Sequence, residues 1–198
     1  FLVRKAAERR ALEERIDGFY IPSFSARTIV YKGLFNAPQL PMFYPDLRDP
    51  LFVTALALYH QRYSTNTFPN WQLAHPFRRL AHNGEINTLM GNRNWTAARE
   101  QEIASPLWGD NIAALRPIIQ PGGSDSAALD NALEVLEVSG RDLLQSVMML
   151  APEAVEKMER NAPYLEGFSQ VHSCITTPLP GAPPVVSTHV AGYETTPD

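Results

Sequence analysis

The sequence predicts an α+β protein, and three observations carry that reading. Residues 2–16 and 129–136 place apolar side chains at helical spacing. Thr28-Ile29-Val30-Tyr31 is a strong β stretch, and residues 57–63 suit a buried strand. The two kinds of segment mix without the strict strand–helix–strand alternation of a parallel sheet.

The elements follow in chain order. Leu2, Val3, Ala6, Ala7, Leu12 and Ile16 give a loose helical stripe, with Arg4/Glu8, Arg9/Glu13 and Arg10/Glu14 at i,i+4. The charge run reads as a solvated face and Gly18 as the stop. Residues 19–35 read as a pair of strands. Pro38, Pro41, Pro45 and Pro50 make residues 36–50 a loop. Residues 51–56 suit a buried helix or strand, and residues 57–63 a buried strand that delivers Arg62, Ser64 and Thr65. Phe77 to His82 is a short strand leading into Asn83-Gly84. A helix over residues 88–103 has Met90, Trp95, Ala98 and Ile103 for packing. After Pro-Gly-Gly-Ser-Asp-Ser (residues 121–126), Leu129, Ala132, Leu133 and Leu136 mark a helix that Gly140 ends. Leu143, Leu144, Val147 and Met148 mark another, and Pro152 starts a third. Residues 176–198 are Pro-rich and aperiodic, and no internal repeat occurs.

Composition narrows the function. With 44% hydrophobic and 19% charged residues, the 198-residue chain is globular rather than disordered. A net charge of -4 gives no electrostatic case for nucleic acid. No apolar run spans a bilayer and no signal peptide opens the chain, so no membrane partner and a cytoplasmic location are expected. The single cysteine, Cys174, excludes an internal disulfide and fits a reducing compartment. Asn94-Trp95-Thr96 matches a glycosylation sequon and, without a secretory signal, reads as chance.

Three positions stand out, each with a plain alternative. Arg62 closes an apolar run; it is either a strand-end arginine paired with a carboxylate or a planar fork for a substrate carboxylate. Asn83-Gly84 is either a type I′ hairpin turn or a pair of oxyanion donors. Gly122-Gly123-Ser124-Asp125-Ser126 is a helix cap, a phosphate loop without its lysine, or a loop from which Asp125 holds an ammonium group. A Cys/His nucleophile at His172 and Cys174 has only its residue types for support. The five histidines show no metal-ligand spacing, so no metal is expected. Taken together, an arginine fork, an acid for an ammonium and a donor pair for an oxyanion are what hydrolysis of an amino-acid amide needs. Glutamine is the obvious substrate, and a nucleophile is missing.

HQRYSTNTFPNWQLAHPFRRLAHNGEINTLMGNRNW (residues 60–95) closely resembles the class II glutamine amidotransferase domain of the glutamate synthase large subunit. FYIPSFSARTIVYKGL and QPGGSDSAALDNALEVL look like its flanking segments. The long insert after Thr65 separates this family from other class II amidotransferases. The resemblance implies a four-layer αββα N-terminal-nucleophile hydrolase fold, incomplete here at both ends. A partial amidotransferase domain would occupy residues 1–175 and a divergent Pro-rich tail residues 176–198. It implies that Arg62 binds the glutamine α-carboxylate and Asp125 the α-amino group. Asn83, through its side-chain amide, and Gly84, through its backbone N–H, would form the oxyanion hole. Thr65 and His82 would line the pocket.

The resemblance also implies a cysteine nucleophile at a mature N-terminus, acting through a thioester. The chain opens on Phe1, so that cysteine is expected upstream of it, and Cys174 sits in the wrong context to replace it. FMN and an iron–sulfur cluster are implied for the complete enzyme and none within this chain. The implied partners are glutamine, the remaining synthase domains of the same polypeptide, and an electron-donating subunit or ferredoxin. The role is glutamate biosynthesis in nitrogen assimilation. Three other readings stay open: a glutamine-binding remnant that cannot cut, another class II amidotransferase, and a structural α+β protein in which the three positions are salt-bridge, turn and cap residues.

Overall fold

A computed structural model of the chain describes residues 1–60, 70–81 and 89–150. These fall into two compact units, residues 1–83 and 84–198. Among the described residues no strand occurs; the regular structure is helical.

The first unit opens with α1, Leu2–Glu13. The expected i,i+4 pairs include Arg4–Glu8 at 2.7 Å and Arg10–Glu14 at 2.6 Å. The face they define is not the solvated one throughout. Arg4, Lys5 and Ala11 are buried, while Val3, Leu12 and Ile16 are exposed. The reason lies in what α1 packs against. Glu8 Oε1 also accepts from Arg78 Nη2 at 3.1 Å, and that guanidinium donates to the Ile21 carbonyl at 2.5 Å. Buried charges persist when they are paired, as Glu8 is with Arg4 and Arg78. The helix also stops before Gly18. Arg15 takes a left-handed φ of 55, Ile16 N–H donates to the Ala11 carbonyl and Arg15 N–H to the Leu12 carbonyl. This is a Schellman stop with an arginine where glycine is usual.

The segment after α1 forms no ladder, and side chains take over its backbone groups. Val30 N–H donates to Ser23 Oγ at 3.1 Å, and the Lys32 carbonyl accepts from Tyr44 Oη at 2.8 Å. Lys32 is buried with its Nζ over the rings of Tyr20 and Phe77, at 4.8 and 4.6 Å, and donates to the Gln72 carbonyl at 2.8 Å. Two aromatic faces and a carbonyl compensate the loss of water around that ammonium. The proline-rich residues 36–50 are not a bare loop. A 3-10 turn at Ala37–Gln39, the short helix α2 at Leu40–Phe43 and a 3-10 turn at Pro45–Arg48 each carry proline at the first or second position. There its missing N–H costs nothing and its fixed φ suits the turn. Residues 51–60 are irregular, and Leu51, Val53, Leu56, Leu58 and Tyr59 are exposed rather than buried. Residues 77–81 bend instead of extending: Phe77 N–H donates to the Leu80 carbonyl, and the adjacent Phe77 and Arg78 are both buried, which a half-buried strand does not allow.

Tyr31 gives this unit a pH signature. Its hydroxyl donates to Asp46 Oδ2. That hydrogen bond first, then burial and the Asp46 charge, push the phenol up to about 12 from 10.0. The contact therefore contributes fully below the ordinary phenol value and is lost as pH climbs from there to about 12. Ultraviolet titration should show one tyrosine ionising late, and Asp46→Asn should bring it back toward its ordinary value.

Among its described residues the second unit holds three longer helices: α3, Leu89–Glu100; α4, Asp125–Val138; and α5, Leu143–Leu150. A 3-10 turn at Gly109–Leu115 lies between α3 and α4. Gly140 ends α4 as expected, with the Gly140 and Arg141 N–H groups donating to the Glu137 and Leu136 carbonyls. Asp142 caps α5 by accepting from Leu144 N–H and Gln145 N–H at 2.9 and 3.2 Å. α4 and α5 pack together, burying Leu133, Ser146 and Met149. Leu143, Leu144 and Val147 of the expected stripe stay exposed. Pro152 and the tail lie outside the described residues.

Candidate functional site

Asp125 is the candidate residue whose surroundings are described. It is the first residue of α4 and follows a loop with little regular structure, residues 116–124. Backbone groups in such a loop need partners, and here side chains from two helices supply them. Glu100 Oε1, on α3, accepts from Ile118 N–H at 2.6 Å. Asn131 Oδ1, on α4, accepts from Gln120 N–H at 2.9 Å. Arg93, on α3, donates through Nη2 to the Gly123 carbonyl and, at 3.5 Å, to the Ser124 carbonyl.

The loop turns on its glycines. Gly122 has φ +75, a left-handed conformation that an L side chain rarely adopts. A Cβ on Gly123 would meet Ala127 Cβ at 3.2 Å, so the loop lies close against the first turn of α4. Ser124 is the N-cap, its Oγ accepting from Ala127 N–H at 3.1 Å. The capping task therefore falls to Ser124, and Asp125 stands one residue inside the helix. Asp125 Oδ1 accepts from Ser126 N–H at 2.6 Å and from Ser126 Oγ at 3.2 Å. The side chain is half-buried.

The other five candidates, Arg62, Thr65, His82, Asn83 and Gly84, lie outside the described residues, as do His172 and Cys174. The sequence reading missed the three side chains that build the Asp125 loop. It gave this helix a packing face of Met90, Trp95, Ala98 and Ile103; Ile103 is half-buried, but Met90, Trp95 and Ala98 are exposed, and on α3 Arg93, Thr96 and Glu100 are the half-buried side chains. No pattern could have revealed this, because Arg93 meets Gly123 across thirty residues. Among the described residues no group of three or more His, Cys, Asp or Glu could hold a metal ion, and no helix is long and apolar enough to cross a membrane.

Comparison with known proteins adds what the geometry leaves open. The family model described as glutamine amidotransferases class-II matches residues 1–192. The chain is 45% identical to the glutamate synthase [NADPH] large chain of Azospirillum brasilense over 181 residues, 91% of this chain and 12% of that protein. It is 49% identical over 158 residues to glutamate synthase [NADH] of Saccharomyces cerevisiae, 79% of this chain and 7% of that protein. It is 42% identical over 193 residues to the ferredoxin-dependent glutamate synthase of Antithamnion sp., 95% of this chain and 13% of that protein. The chain thus spans about an eighth of the length of the first of these relatives. With a family match over nearly its whole length, the chain belongs to the class-II glutamine amidotransferases.

Proposed function

We propose that this chain is the glutamine-hydrolysing domain of a glutamate synthase, with the four-layer αββα arrangement of N-terminal-nucleophile hydrolases. One observation carries the reading to the level of residues. Asp125 sits on a loop whose backbone is held from two helices, as a group that must meet a small ligand at a fixed point requires. The similarity to synthases over most of the chain supports the reaction.

In this reading the Asp125 carboxylate takes the α-ammonium of glutamine and the Arg62 fork takes its α-carboxylate, each by charge-assisted hydrogen bonds. Thr65 and His82 line the pocket. A cysteine thiolate of the full-length protein attacks the side-chain amide carbon. The carbonyl π electrons move onto oxygen, where the Asn83 side-chain N–H and the Gly84 backbone N–H stabilise the oxyanion. The C–N bond then breaks, ammonia leaves with the proton taken from the thiol, and a thioester remains. Water hydrolyses the thioester to glutamate and regenerates the thiol. Elsewhere in the polypeptide the ammonia condenses with 2-oxoglutarate, and a two-electron reduction gives a second glutamate. FMN and an iron–sulfur cluster, outside this chain, would supply those electrons. The names of the relatives differ in the donor, NADPH, NADH or ferredoxin, and here an electron-donating subunit or ferredoxin would serve. The protein would work in the cytoplasm.

The test compares two activities of the full-length protein. Arg62→Ala and Asp125→Ala should each lower kcat/KM for glutamine-dependent glutamate formation by about 10- to 100-fold, the worth of one hydrogen bond to a charged group. Ammonia-dependent formation should be unchanged, because ammonia needs neither residue. Equal loss of the two activities would sink the assignment.

A further inference from the structure

We infer that Arg93 is a positioning residue for the glutamine ammonium: it acts on the substrate only through Asp125, by fixing the loop from which that carboxylate projects. The inference rests on the assignment of Asp125 given above and adds a residue that neither the sequence reading nor the family match singles out.

The geometry is specific. Arg93 Nη2 donates to the carbonyls of Gly123 and Ser124, the two residues directly before Asp125. A planar guanidinium fixes the direction of each N–H, so its Nη2 holds the two carbonyls in place where a lysine would supply a swivelling point charge. The loop needs such a hold. Gly122 turns it through a left-handed conformation, and glycine resists other conformations poorly. On the far side of the turn Asn131 fixes Gln120, and Ser124 caps α4. Arg93 ties the residues directly before Asp125 from outside α4. Without it the carboxylate would keep its chemistry and lose its place, and a shift of about 1 Å is enough to weaken a charged contact severely. Arg93 also lies on the helix that begins five residues after Gly84, so one arginine joins the element that follows the oxyanion donors to the loop that holds the ammonium.

The test uses the full-length protein with Arg93→Ala, Arg93→Lys, Asp125→Ala and the Arg93→Ala/Asp125→Ala pair. Each is assayed for the KM of glutamine and for competitive inhibition by glutaramate, which is glutamine without its α-amino group. Ammonia-dependent activity reports on the rest of the polypeptide, and a retained glutaramate Ki on the folding of this domain. Arg93→Ala should raise the glutamine KM by about 10- to 100-fold and change the glutaramate Ki by less than about twofold. Arg93→Lys should fall between, and the double variant should be no worse than Asp125→Ala. A rise that is equal for glutamine and glutaramate would make Arg93 merely structural and overturn the inference, as would an unchanged glutamine KM. Asp125→Ala without effect on glutamine would overturn the underlying assignment as well, which separates the two failures.

Discussion

Asn83→Ala in the full-length protein is expected to lower kcat for glutamine hydrolysis by about 10²- to 10³-fold while leaving KM nearly unchanged. The asymmetry follows from when the donor is needed. The amide oxygen of bound glutamine carries only a partial charge, and the full charge develops as the thiolate adds. A donor placed for that charge strengthens in the transition state and so acts on kcat. In the proposed site Gly84 would contribute through its backbone N–H, which no side-chain substitution removes, so part of the oxyanion hole would survive. Asn83→Asp sharpens the test. Asp-Gly suits a type I′ turn as well as Asn-Gly does, so a turn role predicts little change. The oxyanion role predicts a loss at least as large as for alanine, because an acceptor with a negative charge replaces the donor. Stopped assays of glutamate release, with ammonia-dependent synthesis as the control, read both variants. A fall in stability with kcat intact would return Asn83 to the hairpin.

Helices were legible in this sequence and their faces were not. The stripes and caps located α1, α3, α4 and α5 within a few residues, because periodicity and capping are local properties. Which side turns inward is a tertiary matter. α1 buries Arg4 and Lys5 because a bend seventy residues away brings Arg78 to Glu8. α3 turns Arg93 and Glu100 inward because loop 116–124 has backbone groups that need partners. The β-prone stretches at 28–31, 57–60 and 77–81 stand without a ladder among the described residues, since β propensity measures fit to a pleated surface and says nothing about the partner. The Asp125 setting was half legible. Gly-Gly and Ser announced the turn and the cap, and the arginine that clamps them left no trace in spacing.

The same contrast between local pattern and tertiary setting sets the largest expected stability effect. Arg4–Glu8 and Arg10–Glu14 are both i,i+4 pairs on α1, at 2.7 and 2.6 Å. By sequence and by distance they are equivalent. Their side chains are 3% and 9% exposed in the first and 72% and 46% in the second. Removing an exposed pair costs about 0.3–0.5 kcal/mol, so Glu14→Gln should hardly move the unfolding midpoint. Glu8→Gln should destabilise this unit by about 3–5 kcal/mol. It leaves two guanidinium groups, of Arg4 and Arg78, facing each other without the carboxylate that both now share. Urea titration of the full-length protein, followed by a probe in the first unit, measures both variants. If Glu8→Gln unfolds the unit outright, Arg78→Met/Arg4→Met/Glu8→Met supplies the second arm. An apolar replacement of the whole trio should recover much of the loss, because the penalty comes from unpaired buried charge and not from the absence of the bridge. Equal, small effects of Glu8→Gln and Glu14→Gln would mean that water reaches Glu8 in solution. The bend at residues 77–81, which runs directly into His82, Asn83 and Gly84, would then be held by the Lys32 and Tyr20 contacts and the Ile21 carbonyl instead.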